Sequence, residues 1–272
     1  MRTNQRSSGV SVAIKKTIES VKSNATSFIH SKEYTIKIAN CRKDYKQVFR
    51  LAYLEYLQKG YIEKNETQEY TIQQDADDET VIFLVKDKNN IPVGTVSLVM
   101  NKYSALPAQS EFMNEVKQLE SKYPYIAEVS RLAIDKTQKK TQEILCMLFN
   151  YLAIYAYHVK GNQCLICQVL PRHALYYQKL LRFSKIGKTG HCRSVKNIPA
   201  ALQYLPLKIY QEEINTKKIN LKNSKNNMSL YSKFIPLIYE KEIAQRLELQ
   251  FGPMSKQDQE YFRIHSNAIQ YI

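Results

Sequence analysis

Apolar and polar residues follow two periods along this chain, one typical of strands and one typical of helices. Near the start, Tyr34, Ile36 and Ile38 alternate with polar residues, which predicts a first strand. A helix closed by Gly60 is expected next. Its apolar residues recur at helical spacing: Tyr45, Val48, Phe49, Ala52, Tyr53 and Tyr56.

A hairpin is predicted in the following stretch. Residues 80–86 are a continuous apolar run, which is the pattern of a buried strand. Residues 87–90 are turn formers, and residues 91–100 read as a second strand. The hairpin is therefore expected near the beginning of the main domain.

The remaining elements alternate between helix and strand up to residue 210. A helix is expected at 111–120, a strand at 125–134, a helix at 142–158, a strand at 163–170, a helix at 171–181 and a last strand at 199–210. This order predicts an α/β (α+β) fold, with a mixed central sheet flanked by helices.

Three segments are expected along the chain. Residues 1–32 are polar and read as a flexible N-terminal arm with a short helix near 12–21. The domain proper spans 33–212. Residues 213–272 read as a basic linker followed by a helical extension, with helices at 235–249 and 255–264.

The formal net charge of +15 indicates an acidic partner, which could be nucleic acid, an anionic membrane surface or an acidic protein. No apolar run is long enough for a membrane span, and no secretory signal is evident. The five cysteines are odd in number and scattered, which favours a reducing cytoplasm. Cys164 and Cys167 form a C-x-x-C spacing, but on a strand they would face opposite sides, so no metal site is expected.

Four stretches of sequence carry a resemblance to a known family. They are residues 53–61 (YLEYLQKGY), 93–101 (VGTVSLVMN), 127–135 (AEVSRLAID) and 171–183 (PRHALYYQKLLRF). In this order they resemble the long-chain N-acyl amino acid synthases, which are relatives of the acyl-homoserine-lactone synthases in the GCN5-related N-acetyltransferase (GNAT) superfamily. The resemblance covers roughly residues 34–210. It implies a GNAT-like fold and transfer of a fatty acyl group from acyl carrier protein to the amine of an amino acid. Acyl-phosphopantetheine would be the donor substrate, with no permanently bound cofactor.

Glu128 and Tyr177 are the candidate catalytic residues. Amide formation from a thioester needs a neutral amine and a proton for the leaving thiol. Glu128 lies in the middle of a predicted strand, where desolvation would raise its pKa toward that of a useful base. The alternative is a structural ion pair with a basic neighbour. The resemblance places Tyr177 where a phenol can protonate the thiol, although the neighbouring Tyr176 and core packing are competing interpretations.

Three basic residues are candidates for binding an anion. Arg131 lies three positions after Glu128, on the opposite face if the strand is regular. It could bind the carboxylate of the amino acid bidentately, or it could anchor a neighbouring helix. Arg172 and His173 fall in the first turn of a predicted helix, where a phosphate or a carboxylate would fit, although an ordinary surface turn explains them equally well.

Two further segments are candidates for a role in the site. Val93, Gly94 and Thr95 belong to the strand that the resemblance places along the acyl pocket, while packing of the hairpin is an equal alternative. The second segment is a cluster of acidic residues at 75–79, which lacks EF-hand spacing. A solvated stretch before the strand is the default interpretation. The resemblance allows one of these residues to orient the substrate amine. The cluster comprises Asp75, Asp77, Asp78 and Glu79.

The stretch after the Glu128 strand departs from the pattern of acetyl-coenzyme A users. No glycine occurs between Thr95 and Lys160, so the glycine-rich loop that holds a pyrophosphate is missing. This departure favours an acyl carrier protein donor, which brings a single phosphate. Lys136, Lys139 and Lys140, together with the lysines of 217–225, could dock that acidic protein. A second departure is Arg182, which stands where relatives usually have glycine.

Three alternatives remain open at this point. A lactone synthase that uses S-adenosylmethionine would share the acyl donor. A nucleic-acid-binding module is disfavoured, since basic residues are dispersed and no recognition motif is present. Peripheral membrane contact through the basic, apolar tail at 217–249 is compatible with catalysis in the cytoplasm.

Overall fold

A seven-stranded mixed sheet forms the centre of the chain. The computed structural model describes residues 33–102, 104–219 and 229–264, with the side chains of 217–219 excepted. The predicted arm at 1–32 with its short helix, and Lys222 and Lys225, lie outside these residues. No helix in the described part is long and apolar enough to cross a membrane.

The strands follow the sheet order β1-β2-β3-β4-β5-β7-β6. Every neighbouring pair is antiparallel except β4 and β5, which run parallel. The strands are β1 Tyr34–Ile38, β2 Val81–Asp87, β3 Pro92–Met100, β4 Ile126–Ile134, β5 Cys164–Val169, β6 Ser184–Cys192 and β7 Ile198–Pro206.

Helices cover both faces of the sheet. They are α1 Arg42–Gln58, α2 Gln109–Lys122, α3 Thr141–Ile154, α4 Pro171–Leu181, α5 Leu207–Ile219, α6 Leu237–Gln250 and α7 Lys256–Tyr261. Short 3₁₀ turns span Gln73–Ala76 and Leu230–Lys233, and a π-helical turn, Tyr155–Val159, continues α3. This mixed sheet with helices on both faces is the predicted fold class, which is confirmed.

Alternation along the central strands divides the core between the two faces. Ile126 and Ile166 pack with Phe112 of α2, so α2 covers one face together with α1. Ala127 and Leu165 point the other way and pack with Leu148 of α3, so that face belongs to α3 and α4. Along β5, Cys164 and Cys167 likewise fall in different core clusters, as expected for residues three apart on a strand.

Two expectations about the end of the domain were wrong. The sequence pattern gave no strand at Ser184–Cys192, yet β6 forms there and pairs with β7 at the edge of the sheet. The predicted last strand ran to Tyr210, whereas β7 ends at Pro206 and Tyr210 is fully buried in α5. An apolar run cannot by itself separate a buried strand from a buried helix, which explains the second error.

The strand β4 departs from regular geometry at two places. Its parallel pairing with β5 covers only three residue pairs, the last being Glu128 with Ile166, so the two strands are unpaired beyond that point. On its other side, β4 pairs with β3 through a β-bulge. Thr95 pairs with Ala133 and Ser97 with Ser130, so two steps along β3 correspond to three along β4. Arg131 lies in the bulge with a positive φ of 48°.

The C-terminal extension packs back onto the domain. Glu240 of α6 is fully buried and accepts hydrogen bonds from the Tyr210 hydroxyl at 2.5 Å and from the His158 ring at 2.8 Å. The Tyr231 hydroxyl donates to the carbonyl of Leu181 at 2.8 Å. Ser255 begins α7 by accepting from the Asp258 amide at 3.1 Å, which is half of the predicted capping box.

Candidate active site

A cavity of about 290 Å³ lies where β4 and β5 separate. Its wall comes from both faces of the sheet, since α1 and α4 both contribute to it. The lining residues beyond the two strands include Tyr56, Lys59, Tyr61, Tyr70, His173, Tyr177, Cys192 and Ser194. The cavity therefore lies at the end of the β4–β5 pairing, with residues from both faces of the sheet in its wall.

Glu128 is buried in this wall, with 1% of its surface exposed. The backbone amide of Ala108, at the start of α2, donates to one carboxylate oxygen at 2.7 Å, and the Gln168 amide donates to the other at 3.0 Å. Both partners are uncharged, so the alternative of an ion pair with a basic neighbour is wrong. Burial raises the pKa of Glu128 to about 7, although both hydrogen bonds act in the opposite direction.

Arg131 reaches the same face of the sheet as Glu128, because the bulge breaks the regular alternation. Glu128 pairs with Val99, and the Arg131 guanidinium donates to the Ser97 hydroxyl at 2.7 Å, two residues away on β3. The expectation of opposite faces held only for a regular strand.

The guanidinium of Arg131 already has its carboxylate, which belongs to Asp75. It makes a bidentate ion pair with Asp75, both side chains having no exposed surface, and lies 4.8 Å from the ring centroid of Phe49 in α1. The interpretation that Arg131 binds the carboxylate of a substrate is thus contradicted, and contact with a neighbouring helix is what the structure has. Asp75 is also not solvated, contrary to the default interpretation of the acidic cluster.

Tyr177 lines the cavity from α4, whereas Tyr176 points outward and is 43% exposed. The Tyr177 ring packs edge-on against Phe149 and Phe183. Burial raises the pKa of the Tyr177 phenol well above its usual value, so the hydroxyl keeps its proton at neutral pH.

His173 also lines the cavity, from the first turn of α4. Partial burial, helped by the nearby positive charges of Arg172 and Lys59, lowers its pKa. Arg172 itself is exposed and is not part of the cavity wall. Of the two basic residues proposed for this turn, only His173 thus reaches the cavity.

The other candidates lie away from the cavity. Val93 and Gly94 pack against α3, where a Cβ on Gly94 would come within 2.5 Å of Ile144. Thr95 donates its hydroxyl to the carbonyl of Phe83 at 2.9 Å. This geometry is the hairpin packing that the sequence left open as an alternative.

The docking candidates Lys136, Lys139 and Lys140 are exposed in the loop between β4 and α3. Lys140 forms ion pairs with Glu33 at 2.8 Å and Glu143 at 3.9 Å. Among the described residues, Lys136 and Lys139 have no ion pair, so they are the more available of the three for a partner.

Sequence reasoning missed most of the aromatic wall. On the α1 side, the Tyr56 ring contacts both Tyr61 and Tyr70, with ring centroids 5.7 Å and 5.0 Å apart. The Tyr70 hydroxyl donates to the carbonyl of Ser194 at 3.1 Å, which ties this wall to the turn between β6 and β7. The segment 53–61 carried the family resemblance, but no pattern in it showed which tyrosines meet a cavity.

Comparison with known proteins agrees with this fold. The protein-family model described as N-acyl amino acid synthase FeeM matches residues 47–206. The crystal structure of FeeM, an N-acyl amino acid synthase from uncultured soil microbes, is similar at 21% identity, with 66% of this chain and 93% of that chain covered and a TM-score of 0.57. The acyl-homoserine-lactone synthase LasI is similar at 16% identity, with 64% and 90% covered and a TM-score of 0.50. A search of curated proteins finds no match.

The seven-stranded mixed sheet with helices on both faces is similar to the fold of the FeeM structure, and the family match identifies the chain as an N-acyltransferase. Because the family model covers more than half of the 272 residues, the chain belongs to the N-acyl amino acid synthase FeeM family.

Proposed function

We propose that this N-acyltransferase moves a long-chain fatty acyl group from acyl carrier protein to the amine of an amino acid. The observation that carries the proposal is Glu128. It is a buried carboxylate with a pKa of about 7 and no cationic partner among the residues that the structure describes, and it faces a cavity large enough for a small substrate.

Glu128 is proposed to take the proton that the amine loses as it attacks the thioester carbonyl. A base is most effective when its pKa is near the working pH, and Glu128 meets that condition. The C–N bond forms and the C–S bond breaks. Tyr177, which holds its proton at neutral pH, is proposed to protonate the leaving thiolate of phosphopantetheine.

The backbone of β4 beyond Glu128 is proposed to polarise the thioester carbonyl. Residues Val129, Ser130, Arg131 and Leu132 line the cavity, and β4 has no pairing with β5 beyond Glu128. Peptide N–H groups on that side therefore lack a strand partner. Preorganised N–H donors of this kind stabilise the negative charge that develops on a carbonyl oxygen.

An acyl carrier protein is the proposed donor because the loop after β4 has no glycine and three exposed lysines. Without a glycine-rich cradle, the loop suits the single phosphate of phosphopantetheine better than a pyrophosphate. Lys136 and Lys139, which have no ion pair within the described part of the chain, are proposed to meet an acidic protein, with Lys140 exchanging its present ion pairs. Peripheral contact of the basic tail with a membrane stays a prediction.

His173 is the proposed contact for an anionic group of a substrate, with Arg172 adding positive potential from outside the cavity. The two residues share the first turn of α4, and Lys59 approaches His173 from the end of α1. A carboxylate of the amino acid or the phosphate of the donor would be stabilised there.

The test is product formation by the purified full-length chain. It would be incubated with palmitoyl-acyl carrier protein and a pool of the common amino acids, and the products identified by mass spectrometry. N-acyl amino acids are expected, with at least roughly tenfold less product from palmitoyl-coenzyme A, which corresponds to about 1.4 kcal/mol.

The same assay includes S-adenosylmethionine in a separate arm. An acyl-homoserine lactone formed only in that arm would favour the lactone synthase alternative. Folded protein that yields neither product from either donor would refute the proposal. Equal rates from both donors would keep the reaction and remove the preference for acyl carrier protein.

A further inference from the structure

The last described segment of the chain packs against α1 and the 3₁₀ turn Gln73–Ala76, although it lies outside residues 47–206, which define the family match. Met254, Phe262 and Ile264 are buried in one core cluster with Phe49 and Ala76. The ring of Phe262 packs edge-on against that of Phe49, with ring centroids 4.9 Å apart. The Arg131 guanidinium stacks over the same Phe49 ring. The C-terminal segment is thus one side chain away from the bulge in β4.

Gln259 makes the polar link between this segment and the domain. Its side chain is buried, with 5% of the residue exposed, and its amide donates to the carbonyl of Ala76 at 3.1 Å and to that of Met254 at 3.0 Å. One amide group therefore joins the start of the C-terminal segment to the 3₁₀ turn Gln73–Ala76. Buried hydrogen bonds of this kind fix the position of both groups.

The 3₁₀ turn carries Asp75, which is also tied to the turn itself. The Ile72 backbone amide donates to the Asp75 carboxylate at 2.8 Å, and the same carboxylate makes the bidentate ion pair with Arg131. Arg131 has a left-handed backbone, which a non-glycine residue keeps only when its surroundings hold it there. Asp75, Ser97 and Phe49 are those surroundings.

We infer that Gln259 is a positioning residue, which fixes the turn bearing Asp75 and so holds Arg131 and the β4 bulge against the cavity. The inference rests on the proposed function for its kinetic test. It extends the working part of the enzyme to the C-terminal segment. A displacement of the cavity backbone by about 1 Å can lower a rate by roughly a hundredfold, so a support of this kind matters to catalysis.

The first measurement compares Gln259→Met with Gln257→Met in the full-length chain. Methionine has a similar length but cannot donate to Ala76. Gln257 belongs to the same helix and is exposed, which makes it a matched control. In Gln259→Met, kcat is expected to fall about tenfold, with KM for the acyl donor within about twofold of the wild type.

The pH dependence separates positioning from damage to Glu128. The hydrogen bonds to Glu128 come from α2 and β5, not from the 3₁₀ turn that bears Asp75. The rising limb of kcat/KM against pH is therefore expected to keep its midpoint in Gln259→Met. Wild-type kcat in this variant, or an equal loss in Gln257→Met, would overturn the inference.

A double-mutant cycle with Asp75→Asn asks whether Gln259 acts through Asp75. If it does, adding Gln259→Met to Asp75→Asn lowers kcat by less than about twofold further. Full additivity of the two losses would contradict the proposed route. Gln259→Asn retains a donor and is expected to recover part of the lost rate.

Hydrogen exchange gives a readout that does not depend on the reaction. Backbone amides of residues 128–132 are expected to exchange at least roughly threefold faster in Gln259→Met than in Gln257→Met, since a support of the bulge is lost. Unchanged exchange would overturn the inference even in an inactive protein. Failure of the proposed function alone would give a different result. The wild type would make no product, while the exchange difference between Gln259→Met and Gln257→Met would still be seen.

Discussion

Glu128 and Glu240 are both buried carboxylates, but they differ in their hydrogen-bond partners and in their access to a cavity. Glu128 at the split of the sheet and Glu240 under the C-terminal extension are both almost without exposed surface, and burial raises the pKa of both. Glu240, however, is held by a histidine ring and a tyrosine hydroxyl, whereas Glu128 has two uncharged partners and faces a cavity. A raised pKa alone therefore does not distinguish a base from a structural group, but access and partners do.

The largest expected effect is on the rate of Glu128→Gln. Glutamine keeps the shape but cannot accept the proton, so kcat should fall by roughly 10²–10⁴, the usual contribution of a positioned base. Glu240→Gln is the matched control and should keep kcat within about threefold. Steady-state rates of N-acyl product formation check both variants. Similar losses in the two variants would mean that Glu128 has no catalytic role that Glu240 lacks.

The pH dependence should follow the ionisation of Glu128. The base must be unprotonated, so kcat at saturating substrates should fall about tenfold per unit as the pH drops below 7. Over two units this is a hundredfold change. The profile is measured with the wild type in overlapping buffers. A rate that is flat between pH 5 and 8 would mean that another group takes the proton.

A pair of tyrosine variants tests the same contrast on the acid side. Tyr177→Phe removes a hydroxyl from the cavity wall and should lower kcat by roughly tenfold if that hydroxyl protonates the thiol. Tyr210→Phe removes a hydroxyl that bonds Glu240 and should leave kcat unchanged. The comparison is made with both variants at saturating substrates. An active Tyr177→Phe would leave this phenol a packing role only.

Stability should respond in opposite directions at the two sites. The folded-state pKa of Glu128 is raised, so its ionisation costs stability as the pH rises through 7, and the cost is absent below its ordinary value. Glu128→Gln should thus gain about 3 kcal/mol at pH 9 and almost nothing at pH 4.

The new amide fits this site because the Gln168 amide oxygen has no partner among the described residues and can accept a hydrogen bond from it after the Gln168 amide flips. Tyr210→Phe should lose about 1 kcal/mol at both pH values, since Glu240 loses a buried donor. Thermal or urea unfolding at the two pH values measures both. Lower stability of Glu128→Gln at pH 9 would contradict the assigned pKa.

Much of the fold was predictable because its central strands and helices are buried on defined faces. The helix Pro171–Leu181 has the predicted bounds, with proline in its first turn. The edge strand β6 was missed because most of its residues are exposed and two of its nine are glycine, so it has no clear hydrophobic period. Edge strands are specified mainly by the partner strand, here β7.

The site was predictable only where local sequence fixes the environment. Glu128 in an apolar strand was expected to be desolvated, and it is. The role of Arg131 was not accessible, because a one-residue bulge decides which face it reaches and Asp75 comes from a turn 56 positions earlier. Arg182 adopts φ 60° at the end of α4, which shows that the turn tolerates a residue other than glycine.

The separation of β4 from β5 has a consequence for the order of events in catalysis. The cavity wall includes residues of α1 on one side of the sheet and of α4 on the other, so we expect the two substrates to occupy it together, each against its own side. Neither has to leave before the other enters, and no nucleophile of the protein need carry the acyl group in between. Two-substrate kinetics should therefore show a ternary complex, with intersecting double-reciprocal lines, not the parallel lines of a ping-pong enzyme.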